Sequence, residues 1–190
     1  MIHSAQCSVL REVTTMQETI QDLMTRRSCR KFKANAVPRD LIEQVIQAGI
    51  YAPSGMGKQD TIVVAVTNKE LRDRLATANA AVAGMPAGTD PFYGAPVVLV
   101  VLAKKNCSTH VYDGSGTLCN MLNAAHALGL GSCWIHRAKE EFEQPEFRHL
   151  LADLGVEGEY EGIGHCVLGY PAGSAAPAAP RKDGRVFWVE

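Results

Sequence analysis

The chain has almost no net charge: 19 Lys and Arg stand against 20 Asp and Glu, a formal −1. A general nucleic-acid binder rests its affinity on excess cations, so that partner class is disfavoured. No apolar run reaches the roughly 18 residues that a membrane-spanning helix needs, and no membrane partner is expected. Residues 1–15 contain no continuous apolar core and no small-residue cleavage site, so they do not read as a secretory signal. They read as a disordered extension, with one folded domain over 16–190. Six cysteines (Cys7, Cys29, Cys107, Cys119, Cys133 and Cys166) are spread widely with no C-x-x-C pair. Separate thiols without a signal peptide fit a reducing, cytoplasmic compartment better than a disulfide framework. No close Cys/His pair has ligand spacing, so no metal is expected.

Several chemical signatures are missing too. No G-x-G-x-x-G follows a strand and opens a helix, which leaves a Rossmann dinucleotide site unsupported. Gly55-x-Gly57 with Lys58 is too short for a phosphate-binding P-loop. Ser54 and Ser132 lack the G-x-S-x-G context of a nucleophile elbow. His126 sits in an apolar helix, where a lone histidine reads as structural.

What is present is an ordinary globular composition, 46% apolar and 21% charged over 190 residues, enough for one domain with a substantial core. Ile20, Leu23 and Met24 make an amphipathic helix of 17–26. Pro38 opens a second helix, with Leu41, Ile42, Val45, Ile46 and Ile50 facing inward, and Pro53 stops it by Ala52. Pro53 to Gly57 is a loop. Thr61 to Thr67 reads as a buried strand, and Thr67-x-x-Glu70 as the capping box of a helix reaching Ala83. Gly84 to Gly94 is a Gly/Pro-rich loop, placed to cover a cleft. Pro96 to Ala103 is a continuous apolar strand suited to a sheet covered on both faces. Asp113 caps a long helix to Leu128, apolar on several faces and hence central. Ser132 to His136 and Ile163 to Tyr170 are strands, with a helix over Pro145 to Leu154 between them. Pro171 to Pro180 is an extended arm, and Val186 to Val189 could add an edge strand here or on a neighbour. Helices interleaved with four or five strands make an α/β or α+β single domain.

The most concentrated chemistry lies in Arg26-Arg27-Ser28-Cys29-Arg30-Lys31-Phe32, with four cations in seven residues. Such a run serves a solvated face, or neutralises a phosphate through the planar arginine fork. RRSCRKF is followed by APSGMGKQ, DGSGTLCNMLNAAHALGLGSCWIH, GHCVLGYPAG and a late PRK. In this order and spacing, over 16–190, the chain resembles the nitroreductase-like FMN-dependent oxidoreductases.

That resemblance implies an α+β fold with a mixed central sheet surrounded by helices, and FMN held in a cleft of an intertwined homodimer. It places Arg26, Arg27, Ser28 and Arg30 at the flavin phosphate and ring edge. Pro53, Ser54 and Gly55 then line the flavin from the other subunit, with Gln59 near the ring. Trp134, Ile135 and His136 run beside the isoalloxazine, and Arg181 reaches the phosphate. Plain core packing is the competing account of Trp134 and Ile135. Cys29, between arginines, is open to a redox-sensing role, and Cys133 reads as a buried neighbour. Three positions depart from the family pattern. Gly57 stands where relatives commonly carry Asn, Asp60-Thr61 where they carry Pro-Trp, and Ala179 where a basic residue is frequent.

The implied activity is ping-pong hydride transfer from NAD(P)H through FMN to nitroaromatics, quinones or similar small-molecule acceptors. The cofactor does the chemistry, so no catalytic side chain is assigned beyond Arg27 and Arg30 as electrostatic stabilisers. The alternatives are a flavin-binding or flavin-sensing protein without turnover, and a same-fold enzyme that dehalogenates, oxidises azolines or fragments flavin.

Overall fold

The computed structural model describes residues 17–190. The expectations for 1–15, for Met16 and for Cys7 fall outside them. In chain order the elements are α1 (Glu18–Thr25), α2 (Arg39–Ile50), β1 (Thr61–Val66), α3 (Lys69–Val82), β2 (Val97–Lys104), α4 (His110–Ala127), β3 (Gly131–Ile135), α5 (Ala138–Phe142), α6 (Pro145–Asp153) and β4 (Tyr160–Gly169). The strands form one sheet in the order β1-β2-β4-β3, so the class is α+β.

Strand β2 is the centre of that sheet. Its run VVLVVLA is apolar at every position, so both of its faces must be covered. Val97, Leu99, Val101 and Ala103 face a core shared with α2 and α4, through Ile42, Val45, Leu118, Met121 and Ala125. Val98, Val100 and Leu102 face a second core built from α3, α5 and α6, through Leu75, Ala138, Phe142, Phe147 and Leu151. Val98 to Leu102 are fully buried. Five such side chains contribute on the order of 10 kcal/mol of transfer free energy. Helix α4 lies against α2 closely enough that a Cβ on Gly49 would sit 2.5 Å from Met121 Cγ. Asn120 Nδ2 donates to Ala48 O across the same contact, at 3.0 Å.

Several expectations are corrected. All three strand pairings are antiparallel, so the expected mixed character comes down to one isolated parallel bridge, Ser28 to Ser132. Strand β1 is an edge strand, half-buried over most of its length rather than enclosed. The cap of α3 is Asn68, whose side chain accepts from Leu71 N, one residue after the expected Thr67. Helix α4 starts at His110, before Asp113, and Cys119 is exposed on it. Helix α5 was not anticipated, because five residues are too few to display a period. Val186 to Val189 form no strand and stand exposed, as do Ile20, Leu23, Met24 and Ile50 of the two expected apolar stripes.

One ionisable pair lies inside the second core. Glu141 of α5 and His165 of β4 are fully buried, with Oε2 and Nε2 2.6 Å apart. The other imidazole nitrogen, Nδ1, is 3.2 Å from Ile135 O. A carbonyl only accepts, so Nδ1 carries a proton. Nε2 faces the carboxylate, with both groups of the pair enclosed by the core. Its geometry is that of an ion pair rather than an aligned hydrogen bond, and Glu141 Oε1 has no partner among the described residues. Removing one member strands the other in the core. Glu141→Ala should therefore lower the unfolding free energy by about 3–5 kcal/mol, while replacing both residues by Leu costs less. Urea titration measures both, and a single-variant loss under about 1 kcal/mol would contradict this burial.

Candidate functional site

The cationic segment leaves α1 and is stitched between β3 and the chain beyond β4. Cys29 N donates to Ser132 O at 2.8 Å, Lys33 N to Tyr170 O at 2.9 Å, and Ala172 N to Lys31 O at 2.9 Å. These bonds form one wall of a cleft of about 470 Å³. It is lined by Arg27, Ser28, Cys29, Arg30 and Lys31, by Gly129 to Gly131 with His126, and by Pro171 to Ala176. No carboxylate among the described residues pairs with any of Arg26, Arg27, Arg30 or Lys31. Arg27 Nη1 donates to Met24 O at 2.8 Å and to Arg26 O at 2.7 Å, and its buried Nε has no partner among the described residues. An arginine cluster left without counter-charge is suited to an anionic ligand. His126 contributes to this wall rather than to the core, with Nε2 2.9 Å from Thr25 Oγ1.

Arg26 does not line this cleft, and its charge acts on Cys166 of β4. That thiol is pushed up to about 12, chiefly by complete burial; Cys133 acts in the same direction and Arg26 opposes both.

The second predicted segment lines another cleft, of about 690 Å³. Pro53, Ser54, Gly57 and Gln59 meet Gln47 and Tyr51 near α2, and Asp113 and Thr117 of α4. The loop is tightly wound. Met56, Gly57 and Gln59 have φ of 55°, 66° and 56°, and Ser54 Oγ accepts from Gln59 N at 3.0 Å. Glycine and asparagine both tolerate the left-handed region, so Gly57 in place of Asn is compatible with this backbone. Asp60 O accepts from Lys104 N at 3.1 Å, tying the end of the loop to β2.

Period-2 alternation divides the third segment. Trp134 is half-buried against the α2–α4 core, and Ile135 points into the opposite core at 6% exposure. Plain packing is thus the observed role of the Ile135 side chain. His136 is exposed, and its carbonyl accepts from Asn79 Nδ2 at 2.8 Å. Arg137 is left-handed at φ 78° and donates from Nε to Asn79 Oδ1 at 3.0 Å. The Gly84–Gly94 loop lines neither cleft. It packs on α3, held by Arg72 Nη2 on Asp90 Oδ2 at 2.5 Å. Arg181 and Ala179 stand exposed in the arm, outside both clefts.

The two clefts share no residue and lie toward opposite ends of α4, one at Asp113 and the other at His126. Those residues are about 20 Å apart along the helix axis. A single chain therefore does not bring Arg27 and Arg30 together with Pro53 and Ser54. Sequence patterning missed Asp113, Thr117, Tyr51 and His126 as cleft residues, because it registered them only as helix positions.

The model of the nitroreductase family matches residues 23–86. The crystal structure of a nitroreductase with bound FMN from Bacteroides fragilis NCTC 9343 is 30% identical, with TM-score 0.81. The match covers 92% of this chain and 100% of that one. The chain belongs to the nitroreductase family. A second nitroreductase with bound FMN, from Desulfitobacterium hafniense DCB-2, is 28% identical over 93% of this chain and 100% of its own, at TM-score 0.81. A provisionally named NADH dehydrogenase/NAD(P)H nitroreductase from Methanothermobacter thermautotrophicus is 29% identical over 121 residues, 62% of this chain and 60% of that protein's length. The nitroreductase fold is thus established for this chain, and no helix among its described residues is long and apolar enough to cross a membrane.

The raised Cys166 thiol gives a pH dependence with a definite sign. The folded thiol keeps its proton until about 12, whereas the unfolded one releases it near 9.0. Its contribution to stability is complete below pH 9.0 and lost as pH rises toward about 12. Cys166→Ala should flatten the fall in unfolding free energy across that interval. At pH 8 a chromogenic disulfide should label Cys119 in the native protein and leave Cys166 unlabelled until denaturant is added. Rapid native labelling of Cys166 would contradict its burial.

Proposed function

We propose that this nitroreductase-family chain binds FMN and uses NAD(P)H to reduce small acceptors of the nitroaromatic or quinone type. The observation that carries the proposal is the arginine-rich cleft without a carboxylate partner. FMN ends in a phosphate dianion, and Arg27, Arg30 and Ser28 offer charged and neutral donors for it. Arg26, outside the cleft lining, and Arg181, on the exposed arm, complete the set once a ligand is in place. Bound there, FMN supplies the exchange of electrons between the nicotinamide and the acceptor.

The chain's own residues bind, orient and shield. Arg27 or Arg30 stabilises negative charge at the pyrimidine edge of the reduced ring. The Trp134 side chain, the Ile135 backbone and the exposed His136 lie along one side. Donor and acceptor then use one open face in turn, which makes the kinetics ping-pong. No side-chain acid or thiol is given a step.

The site is completed by a second copy of the chain. The cations and the Pro53–Ser54–Gly55 loop with Gln59 occupy clefts toward opposite ends of α4, so both reach one flavin only when two chains meet. Ile20, Leu23, Met24, Tyr51, Met56, Tyr112 and Val186 to Val189 are exposed. Apolar groups in that number on one chain support an obligate interface.

The purified protein should be yellow, release FMN rather than FAD on denaturation, and scatter light as a dimer. A colourless protein that FMN cannot reconstitute would overturn the proposal, and a monomer that holds FMN tightly would overturn the shared site. Arg26→Ala and Arg181→Ala should weaken FMN retention. Arg27→Ala should slow anaerobic bleaching by NADH or NADPH even at saturating FMN. Cys133→Ser, buried away from both clefts, should keep substantial bleaching; its loss would require a thiol mechanism.

A further inference from the structure

Asp113 fits a helix-cap pattern in the sequence, yet α4 begins three residues earlier and the carboxylate is used differently. It is 8% exposed and forms part of the wall of the 690 Å³ cleft. Oδ1 accepts from Gly55 N at 3.1 Å, across 58 positions of sequence. Oδ2 accepts from Thr109 Oγ1 at 3.0 Å, and Cys107 Sγ lies 4.0 Å away. A buried charge with both oxygens engaged by donors is a fixed point, and the helix N-terminus behind it favours a negative group there.

Gly55 is required for a steric reason. Its φ is not left-handed, so an L side chain meets no backbone penalty. A Cβ at this position would overlap Thr109 Oγ1 and lie 3.1 Å from Thr109 Cβ and 3.2 Å from Cγ2. The Thr109 Cβ, which no χ1 rotation moves, already stands 3.1 Å from that position, so a side chain at 55 pushes this backbone away from Thr109.

We propose that Asp113 is a positioning residue: its carboxylate, steadied through Oδ2 by Thr109, holds the Gly55 amide at Oδ1 and fixes the Pro53–Gly57 loop as a wall of the ligand cleft. Its consequence for catalysis rests on the flavin proposal, in which this loop lines the ring. The clasp itself does not. Loss of the acceptor frees the loop, and a displacement of about 1 Å at a reacting centre is sufficient for rate losses near 100-fold.

The test compares Asp113→Ala, Asp113→Asn, Gly55→Ala and the double variant Gly55→Ala/Thr109→Ala. One readout is hydrogen exchange of peptides spanning 53–57 without added flavin. The other is the anaerobic reduction rate by NADH or NADPH at saturating FMN. Asp113→Ala should raise loop exchange at least about tenfold and slow reduction roughly 10- to 100-fold. FMN retention should fall less than the reduction rate, because the cations proposed for the phosphate lie in the other cleft. Asp113→Asn keeps an oxygen for the Gly55 amide and should remain close to wild type in both. Gly55→Ala should behave like Asp113→Ala, and Thr109→Ala beside it should restore part of the protection, because the overlap with Oγ1 is removed while Asp113 Oδ1 remains as acceptor. Unchanged exchange in Asp113→Ala, equal damage in Asp113→Asn, or a tolerated Gly55→Ala would each overturn the clasp. Should Asp113→Ala fail to fold, the Asp113→Asn and Gly55/Thr109 comparisons decide. If the wild type binds no flavin, the reduction arm fails with the flavin proposal, and the exchange arm still decides the clasp.

Discussion

The burial of β2 on both sides is the constraint on which the rest of the structure depends. A strand with no polar face cannot meet water, so its two side-chain rows call for two separate helical layers. The odd row, Val97 to Ala103, is covered by α2 and α4. The even row is covered by α3, α5 and α6. Because α4 must lie flat on the sheet to cover the odd row, its ends project to opposite margins of the domain. Both clefts are built at those ends. The position of the candidate site thus follows from the packing of a strand that takes no part in it.

Much of this was legible in the sequence where the physical signal was local or continuous. The run Pro96 to Ala103 could only be a strand inside a sheet, and Leu118, Met121, Leu122 and Ala125 could only be a buried helical stripe. The cationic segment and the Pro-Ser-Gly loop were identifiable from composition, order and family resemblance. What escaped was tertiary. Asp113 matched a cap pattern, but its partner, Gly55, lies 58 residues away and leaves no trace in local spacing. The stripe of α1 reads as an inward face, yet Ile20, Leu23 and Met24 stand exposed among the described residues. Periodicity states that a face is apolar and does not state which molecule covers it. The loop 84–94 looked like a cleft cover because it is rich in Gly and Pro. Arg72 and Asp90, 18 positions apart, hold it against α3 instead.

Two kinds of unbalanced surface remain on the isolated chain, and they point in one direction. The cations of 26–31 repel one another without a carboxylate among them, a cost that only an anion or solvent offsets. The exposed apolar groups at both termini carry an unfavourable hydration term. On the proposed reading, FMN relieves the first and a second chain the second. Each would add stability by mass action, as RT ln(1 + [L]/Kd) for the ligand and as a concentration-dependent term for the dimer. Flavin binding and dimerisation are then coupled through the same loops, and neither is an accessory to a domain already complete.

Helix α4 gives that coupling a rigid length. Leu118, Met121 and Ala125 are fully buried between its two ends, and Gly49 of α2 approaches too closely for a slide without collision. The helix therefore acts as a spacer. Asp113 clasps the loop of one cleft, and His126 forms part of the wall of the other. Inserting one residue between them would rotate the distal end by about 100° and advance it about 1.5 Å. That rotation would remove either the clasp or the contribution of His126 to the cationic wall, and would turn part of the buried stripe away from β2. On the proposed two-chain reading, the spacing of the two clefts along α4 is set by helical rise rather than by loop conformation. A site assembled from two chains needs such a fixed length, because a flexible spacer could not hold both walls to one ring at once.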